Sequence, residues 1–535
     1  MLVPFGCAIG TSTLWGYKIK PLEAGRAVGK SAMERSDKIA FAQGKTASIV
    51  GVILLFVLAL TMHAAFSKLN LDQYGDMVEN YAWGALWQWG TYKHPPFFGW
   101  TTAAWFAVFP HENWAYFLFS AVNCGLTFAA VWRIAARFGG GNVQLMAVIC
   151  AMLMPPLSFL AIKYNANSAM TPIWAWLFVF YLRGLEGRRI VDAVMIGLLA
   201  TAAMLTKYHS GVVLLALFLH ASFDKQARAA LLSTFGLTVL VVFFVTIAGH
   251  VLWLFEHDFL PIVYAAEQGD GEWLHIFTKA LKFVVGVPLY TIGALLVALL
   301  VRHDKSEKGP AFQPANIARL RDSVQGRALL AFSILPFILT IILGFAAQAE
   351  LSAVWVLPIF TPIAVLIALL VPQQWLQRNI GRAVTVAVIY LLGMIASGPV
   401  IAMVDRNYGE FESFRNVPLE AVSDRIDELW LAESGGAKGF YVAGSRGLAD
   451  GTSFYSRYAP LIVDGNSAEY AKGYLTPELA RQKGLVLVCF KGESKCTDAS
   501  TKLVGPLPAP QDLQVTGING KGSWDLQIWL VKPQN

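Results

Sequence analysis

Charge is what this sequence has least of. Asp, Glu, Lys and Arg make up 14% of its 535 residues, where a soluble chain carries roughly 25%. That excludes an ordinary soluble enzyme. No convincing signal peptide precedes the first apolar run, because the apolar piece near the start is short and broken by Gly and Thr. Met33 opens Met-Glu-Arg-Ser-Asp-Lys and reads as a natural start. No solenoid-type repeat is visible, and no His-x-x-x-His spacing marks a metal site. Cysteine is also scarce, with five in all. Cys124 and Cys150 fall in apolar runs and read as small core residues. Cys489 and Cys496 lie close together in the polar C-terminal part. An oxidising compartment would let them pair, but their spacing leaves that open.

What is plentiful is apolar sequence: 56% hydrophobic residues and a mean hydropathy of +0.52. Membrane-length runs recur to about residue 404. Backbone facing lipid must satisfy its own hydrogen bonds, so these runs are predicted to be helices. Spans are expected near 47–66, 112–137, 142–160, 166–183, 190–206, 210–222, 229–253, 276–301, 327–347, 351–371 and 382–404, about eleven in all. The apolar segment at 97–109 reads either as a further span or as a helix lying at the interface.

The net charge of +7 does not point to nucleic acid, because its location explains it. Arg133, Arg137, Arg183, Arg188, Arg189, Lys225, Arg228 and the basic residues from Arg302 to Arg382 fall on one side of these spans. Chiefly Lys68, Lys93, Lys163 and Lys207 fall on the other. By the positive-inside rule the first side is cytoplasmic. The N-terminal tail, 1–46, is then inside. The first external loop, 67–111, and a C-terminal segment, 405–535, are outside, which means periplasmic if the membrane is a bacterial inner membrane. The C-terminal segment reads as a small α/β domain. Pro418–Glu433 has one apolar helical face, and Phe440–Ala443, Leu485–Phe490 and Leu526–Val531 read as short strands. Thr476-Pro477-Glu478 reads as a helix start. No nucleotide loop or metal motif appears there, and the plain reading is that this domain shapes access or meets a partner. The predicted fold class is thus an α-helical polytopic membrane protein with a C-terminal α/β domain.

The stretch Leu71–Trp100 concentrates polar chemistry beside the first span. Asp76 and Glu79 stand one helical turn apart, and on a helix through residue 89 they would share a face with Trp83 and Trp87. An interfacial amphipathic helix explains the Trp residues but not paired acids, since an anionic leaflet favours Lys and Arg. Lys93, His94 and Pro95-Pro96 follow. The prolines stiffen the chain and hold His94 extended, and His94 titrates near neutrality. Further along, Lys163 to Asn167 occupy the second external loop. Lys207 and Tyr208 end a span, where a snorkelling lysine or a phosphate contact would both fit. His257, Tyr264, Glu267 and Asp270 lie in a later acidic and aromatic external segment, read as a solvated loop or a lid.

The arrangement Asp76-x-x-Glu79, then Gly90, then Lys93-His94-Pro95-Pro96 after a first span resembles the GT-C membrane glycosyltransferases. Within them it is most similar to the bacterial branch related to dolichyl-phosphate-mannose protein mannosyltransferases, aminoarabinose transferases and rhizobial galacturonosyltransferases. The resemblance implies transfer of a sugar from a polyprenyl-phosphate donor to an acceptor at the outer face. Asp76 matches the acid that acts as general base on the acceptor hydroxyl, with Glu79 as the second candidate. Lys207, Tyr208, Lys93 and His94 become candidates for the lipid phosphate. His257 and Tyr264 join the substrate-binding candidates. Some relatives carry an Asp in the second external loop. This chain has Asn165 and Asn167, which can hydrogen-bond sugar hydroxyls but cannot act as a base. No cofactor is implied with certainty; a divalent ion, if used, would draw on Glu79, His94 and His257. The expected partners are the lipid-linked donor, a glycolipid or glycan acceptor such as lipid A or lipopolysaccharide core, and membrane lipid. A transporter or flippase of lipid-linked sugars is the competing reading. Transporters, however, place charge at mid-membrane on broken helices and often repeat their halves.

Overall fold

The computed structural model describes residues 24–267, 272–302, 312–410, 412–467 and 469–533, with backbone alone for 24–45 and 503–504. Asp270 and the first 23 residues lie outside the described residues. The chain divides into two compact units, Met1–Ser48 and Ile49–Asn535. The described part of the first is helical. The second contains the C-terminal sheet and, apart from the first residues of one helix, the apolar helices.

Among the described residues, seven helices are long and apolar enough to cross a membrane, or eight if one bent pair counts as a span. Thr46–Ser67, Asn113–Ala135, Thr234–Glu256, Trp273–Arg302, Val324–Ala346, Ala353–Leu370 and Gln373–Tyr408 qualify outright. Ala166–Gly187, Ile190–Thr206 and Gly211–Phe223 are further helices at predicted positions. Every predicted apolar run is therefore helical, although fewer than eleven meet the criteria for a full span. Phe97–Phe106 has only ten residues, roughly 15 Å of helix. That is too short for a hydrocarbon core of about 30 Å, so this segment is not a further span.

The predicted span at 142–160 is not one straight helix. Gly141–Met152 ends before Pro155-Pro156, and the chain bends by 90° into Pro155–Ile162. Proline lacks the N–H that would continue the helix, and its ring crowds the preceding turn. Two short 3-10 turns follow and deliver Lys163 to Asp76. The next helix, Ala166–Gly187, starts on a full capping box. Asn165 Oδ1 accepts from the N–H groups of Asn167 and Ser168, and Ser168 Oγ returns a bond to the Asn165 N–H.

The C-terminal domain is a five-stranded mixed sheet in the order β2-β1-β3-β5-β4. Its strands are β1 (Tyr441–Gly444), β2 (Leu461–Ile462), β3 (Leu485–Phe490), β4 (Gln511–Thr516) and β5 (Ser523–Val531). β1 pairs parallel with β2 and β3, and β5 pairs antiparallel with β3 and β4. β1, β3 and β5 fall on the three predicted strands. β2 has two residues, and β4 is polar and largely exposed. β2 is too short to carry an apolar pattern; β4 alternates, with Leu513 and Val515 packed on the core between exposed polar residues, a signal that the sequence reading passed over. The predicted helices at Pro418 and Thr476 are present as Leu419–Ser434 and Pro477–Lys483, the latter capped by Thr476. Cys489 and Cys496 are joined by a disulfide.

Candidate active site

Asp76 and Glu79 lie on the Asp76–Ala85 helix, which ends too early to include Trp87. Trp87 has left-handed backbone and is exposed. Gly75 turns the chain into this helix with φ 77°, and a Cβ there would meet the Phe414 ring at 3.2 Å. The free N–H groups of the first turn go to Asp72, whose Oδ1 accepts from Tyr74 and Asp76 and whose Oδ2 accepts from Met77 at 2.7 Å. The helix N-terminus thus presents two carboxylates where its dipole favours negative charge.

Three cations hold these acids. Lys163 Nζ lies 2.5 Å from Asp76 Oδ2. Lys93 Nζ lies 3.2 Å from Glu79 Oε2. Arg446, from the loop after β1, donates to the same Glu79 oxygen at 3.0 Å and reaches Asp76 Oδ1 at 3.4 Å. Burial pulls the Asp76 carboxyl up, but Lys163, Lys93 and Arg446 together outweigh it and hold the group below its usual range. Glu79 is more deeply buried. Its desolvation wins over Lys93 and Arg446, and its carboxyl sits above the usual range. One acid of the pair is therefore held ionised while the other is drawn toward protonation.

The remaining candidates divide. Thr91 Oγ1 accepts from the N–H groups of Lys93 and His94. This tight turn directs Lys93 at Glu79 and sets His94, half-buried, against the edges of Trp83 and Phe98. Burial, with Lys207, Lys93 and Arg446 nearby, keeps His94 neutral. Lys207 Nζ donates to Asn167 Oδ1 at 2.6 Å and stands over the Trp355 ring. Burial and Lys93 push its pKa down to about 8. The Tyr208 hydroxyl instead meets His250. His257 has each ring nitrogen against a backbone carbonyl, of Trp253 and of Lys472, which leaves neither for a metal. Tyr264 sets its ring edge on Tyr92, which stacks on Tyr470 at 4.4 Å. Among the described residues, no group of three or more His, Cys, Asp or Glu side chains is placed to hold a metal.

Two cavities adjoin the acid pair. The larger, about 630 Å³, is lined by Asp76, Lys163, Asn165 and Asn167, with Lys68 and Arg415 at the same wall and apolar Leu160 and Val354 also lining it. The smaller, about 160 Å³, is lined by Glu79 and Tyr92 on one side and by Arg446, Asp450 and Asp464 on the other. Asp464 Oδ1 accepts from Trp83 Nε1 at 2.8 Å, which ties the domain to the acid-bearing helix.

Arg446, Asp450 and Asp464 escaped the sequence reading. The available signal was Gly444-Ser445-Arg446-Gly447 directly after a strand. In parallel sheets, loops beyond the carboxyl ends of strands are where ligands bind.

Sequence comparison supports a family resemblance over part of the chain. Residues 93–253 match the dolichyl-phosphate-mannose-protein mannosyltransferase family model. No curated protein sequence matches. Among solved structures, ArnT from Cupriavidus metallidurans bound to undecaprenyl phosphate superposes with TM-score 0.57 at 14% identity, covering 91% of this chain and 98% of that one. Its apo form gives 0.55 at 14% identity, covering 90% and 98%. The chain therefore has the GT-C fold of such membrane glycosyltransferases.

Proposed function

We propose that this chain is a membrane glycosyltransferase that moves a sugar from a polyprenyl-phosphate donor to an envelope acceptor at the external face, with Asp76 as general base. The observation that carries the reading is the acid pair at one helix N-terminus, ringed by Lys163, Lys93 and Arg446 and opening on two cavities. The GT-C fold supports the reaction class, and the basic-residue asymmetry of the loops supports the external face.

In this reading the acceptor enters the larger cavity and displaces Lys163 from Asp76. The ionised carboxylate orients the acceptor hydroxyl and takes its proton as the oxygen bonds to the anomeric carbon. The bond from that carbon to the phosphate oxygen breaks, and its electron pair leaves with the lipid phosphate. Arg446, Lys93 and Lys207 supply the positive field for the leaving group. His94, held neutral among them, offers a hydrogen bond rather than a charge. Asn165 serves chiefly as a helix cap, while Asn167 positions Lys207. Lipid A or lipopolysaccharide core is the first acceptor to test.

The test is transfer of radiolabelled sugar from polyprenyl-phosphate donors by purified full-length protein, with lipopolysaccharide as acceptor. Asp76→Asn is expected to lower transfer by about 10²–10⁴-fold. Full activity in that variant overturns the mechanism, and movement of donor across vesicles without any glycosyl product favours the flippase reading.

A further inference from the structure

The smaller cavity has features that the general-base role of Asp76 does not require. It sits beyond the carboxyl ends of the parallel strands β1 and β2, with Arg446 and Asp450 after β1 and Asp464 after β2, the position at which α/β sheets take ligands. Three carboxyl groups line it, and all are more than nine-tenths buried: Glu79, Asp450 and Asp464 are 5%, 4% and 3% exposed. Asp450 Oδ2 accepts from the Gly447 N–H at 2.8 Å, and Glu79 Oε2 accepts from Lys93 and Arg446. Among the described residues, Asp450 Oδ1 and Glu79 Oε1 receive no hydrogen bond. Both residues line a cavity of about 160 Å³, below the range of about 300–1,000 Å³ typical of drug-sized ligands, so the occupant is one small ring and not a lipid or an oligosaccharide.

The chemistry of the lining selects a donor-rich ligand. Acceptors crowd one small volume, and Tyr92 adds an aromatic wall. A lone cation would compete with Arg446 and Lys93, which already hold Glu79. A neutral polyol meets the acceptors without that conflict.

We propose that this cavity is a monosaccharide subsite, in which Glu79, Asp450 and Asp464 accept hydrogen bonds from the hydroxyls of the donor's sugar. The proposal rests on the transferase reading and adds the place and the recognition chemistry of the transferred ring. The C-terminal domain then acts as the sugar selector, with Arg446 at the boundary between ring and lipid phosphate.

The experiment uses the full chain in detergent. Saturation-transfer NMR reads binding of neutral methyl hexosides, with methylammonium as the cationic control. Binding of farnesyl phosphate is measured in parallel. Two variants are compared: Ala449→Phe, which fills the cavity, and Asp450→Asn, which keeps its shape and its bond to Gly447. Methyl hexosides are expected to bind the parent, to lose about tenfold or more in affinity in both variants, and to leave farnesyl phosphate binding unchanged. The subsite is overturned if no hexoside binds the parent, if both variants bind hexosides as the parent does, or if methylammonium displaces them. Hexoside binding that is lost in the variants, without any farnesyl phosphate binding to the parent, would uphold the subsite while removing the lipid-phosphate donor reading.

Discussion

Arg446 and Glu79 lie 367 positions apart in the chain, yet their side chains meet at 3.0 Å across the join between the C-terminal domain and the first loop. The same guanidinium reaches Asp76 at 3.4 Å. One cation therefore bears on the charge state of both acids, beside Lys163 and Lys93, since it lowers the pKa of each.

Removing it has a signed consequence. In Arg446→Ala both carboxyls rise, so the acid limb of the transfer rate against pH moves to higher pH. Activity at neutral pH is expected to fall by about 10–100-fold, in line with the loss of one electrostatic partner in a transition state. Arg446→Lys should restore part of the rate and return the limb toward its original position. A rate that falls with no movement of the limb would show that Arg446 acts through packing alone.

Lys163 should act differently. It touches Asp76 and not Glu79, so Lys163→Met raises the Asp76 pKa and costs activity mainly on the acid side. A pH–rate profile of this variant beside Arg446→Ala separates the two roles. An acid limb that stays in place in Lys163→Met would contradict the assignment of Asp76 as the group that must be ionised.

Asp450 and Asp464 link stability to pH. Burial, with a smaller contribution from Glu79, pushes each carboxyl up to about 7 from 3.8. In the unfolded chain both ionise near the lower value. Between the two the folded state holds protons that the unfolded state has released. Their contribution to stability is therefore full below about pH 4 and is lost as the pH rises through about 7. Thermal unfolding from acid to neutral pH should show this decline, and the double variant Asp450→Asn, Asp464→Asn should flatten it.

Trp83→Phe removes the indole N–H that meets buried Asp464. The stranded acceptor is expected to cost about 1–3 kcal/mol. Because this bond joins the domain to the loop, the loss should appear as faster proteolysis between Tyr408 and the sheet, with the membrane helices still protected. Unchanged proteolysis would mean that the aromatic contacts of Tyr81 and Phe454 suffice for docking.

The disulfide closes a short loop, with a separation of seven residues. Chain-entropy bookkeeping gives such a crosslink about 2–3 kcal/mol. Peptide mapping without reductant should recover the linked pair, and the paired serine variant should unfold at lower temperature. Finding both thiols free in protein from native membranes would contradict an oxidising location for this domain.

The membrane part was readable because hydropathy accumulates over about 20 residues and loop charge alternates beside it. The break at Pro155-Pro156 was harder to read, since two prolines inside an apolar run leave its mean hydropathy high while ending the helix. Asp76, Glu79 and Lys93 were visible as local chemistry beside the first apolar run. Arg446, Asp450 and Asp464 were not. Their meaning depends on a parallel pairing of a two-residue strand and on contacts with residues more than 300 positions away, and neither leaves a periodic trace. Asn165 was legible only in part: one polar side chain before a helix serves as well for a cap as for a ligand, and here it caps the helix while also lining the larger cavity.

The meeting of Arg446 with Asp76 also orders the protein's birth. Asp76 follows the first apolar helix in the chain, whereas Arg446 comes only after the last one. A nascent chain stalled after Tyr408 would hold its membrane helices and an acid pair without Arg446, so the centre is complete only when synthesis has passed the loop after β1.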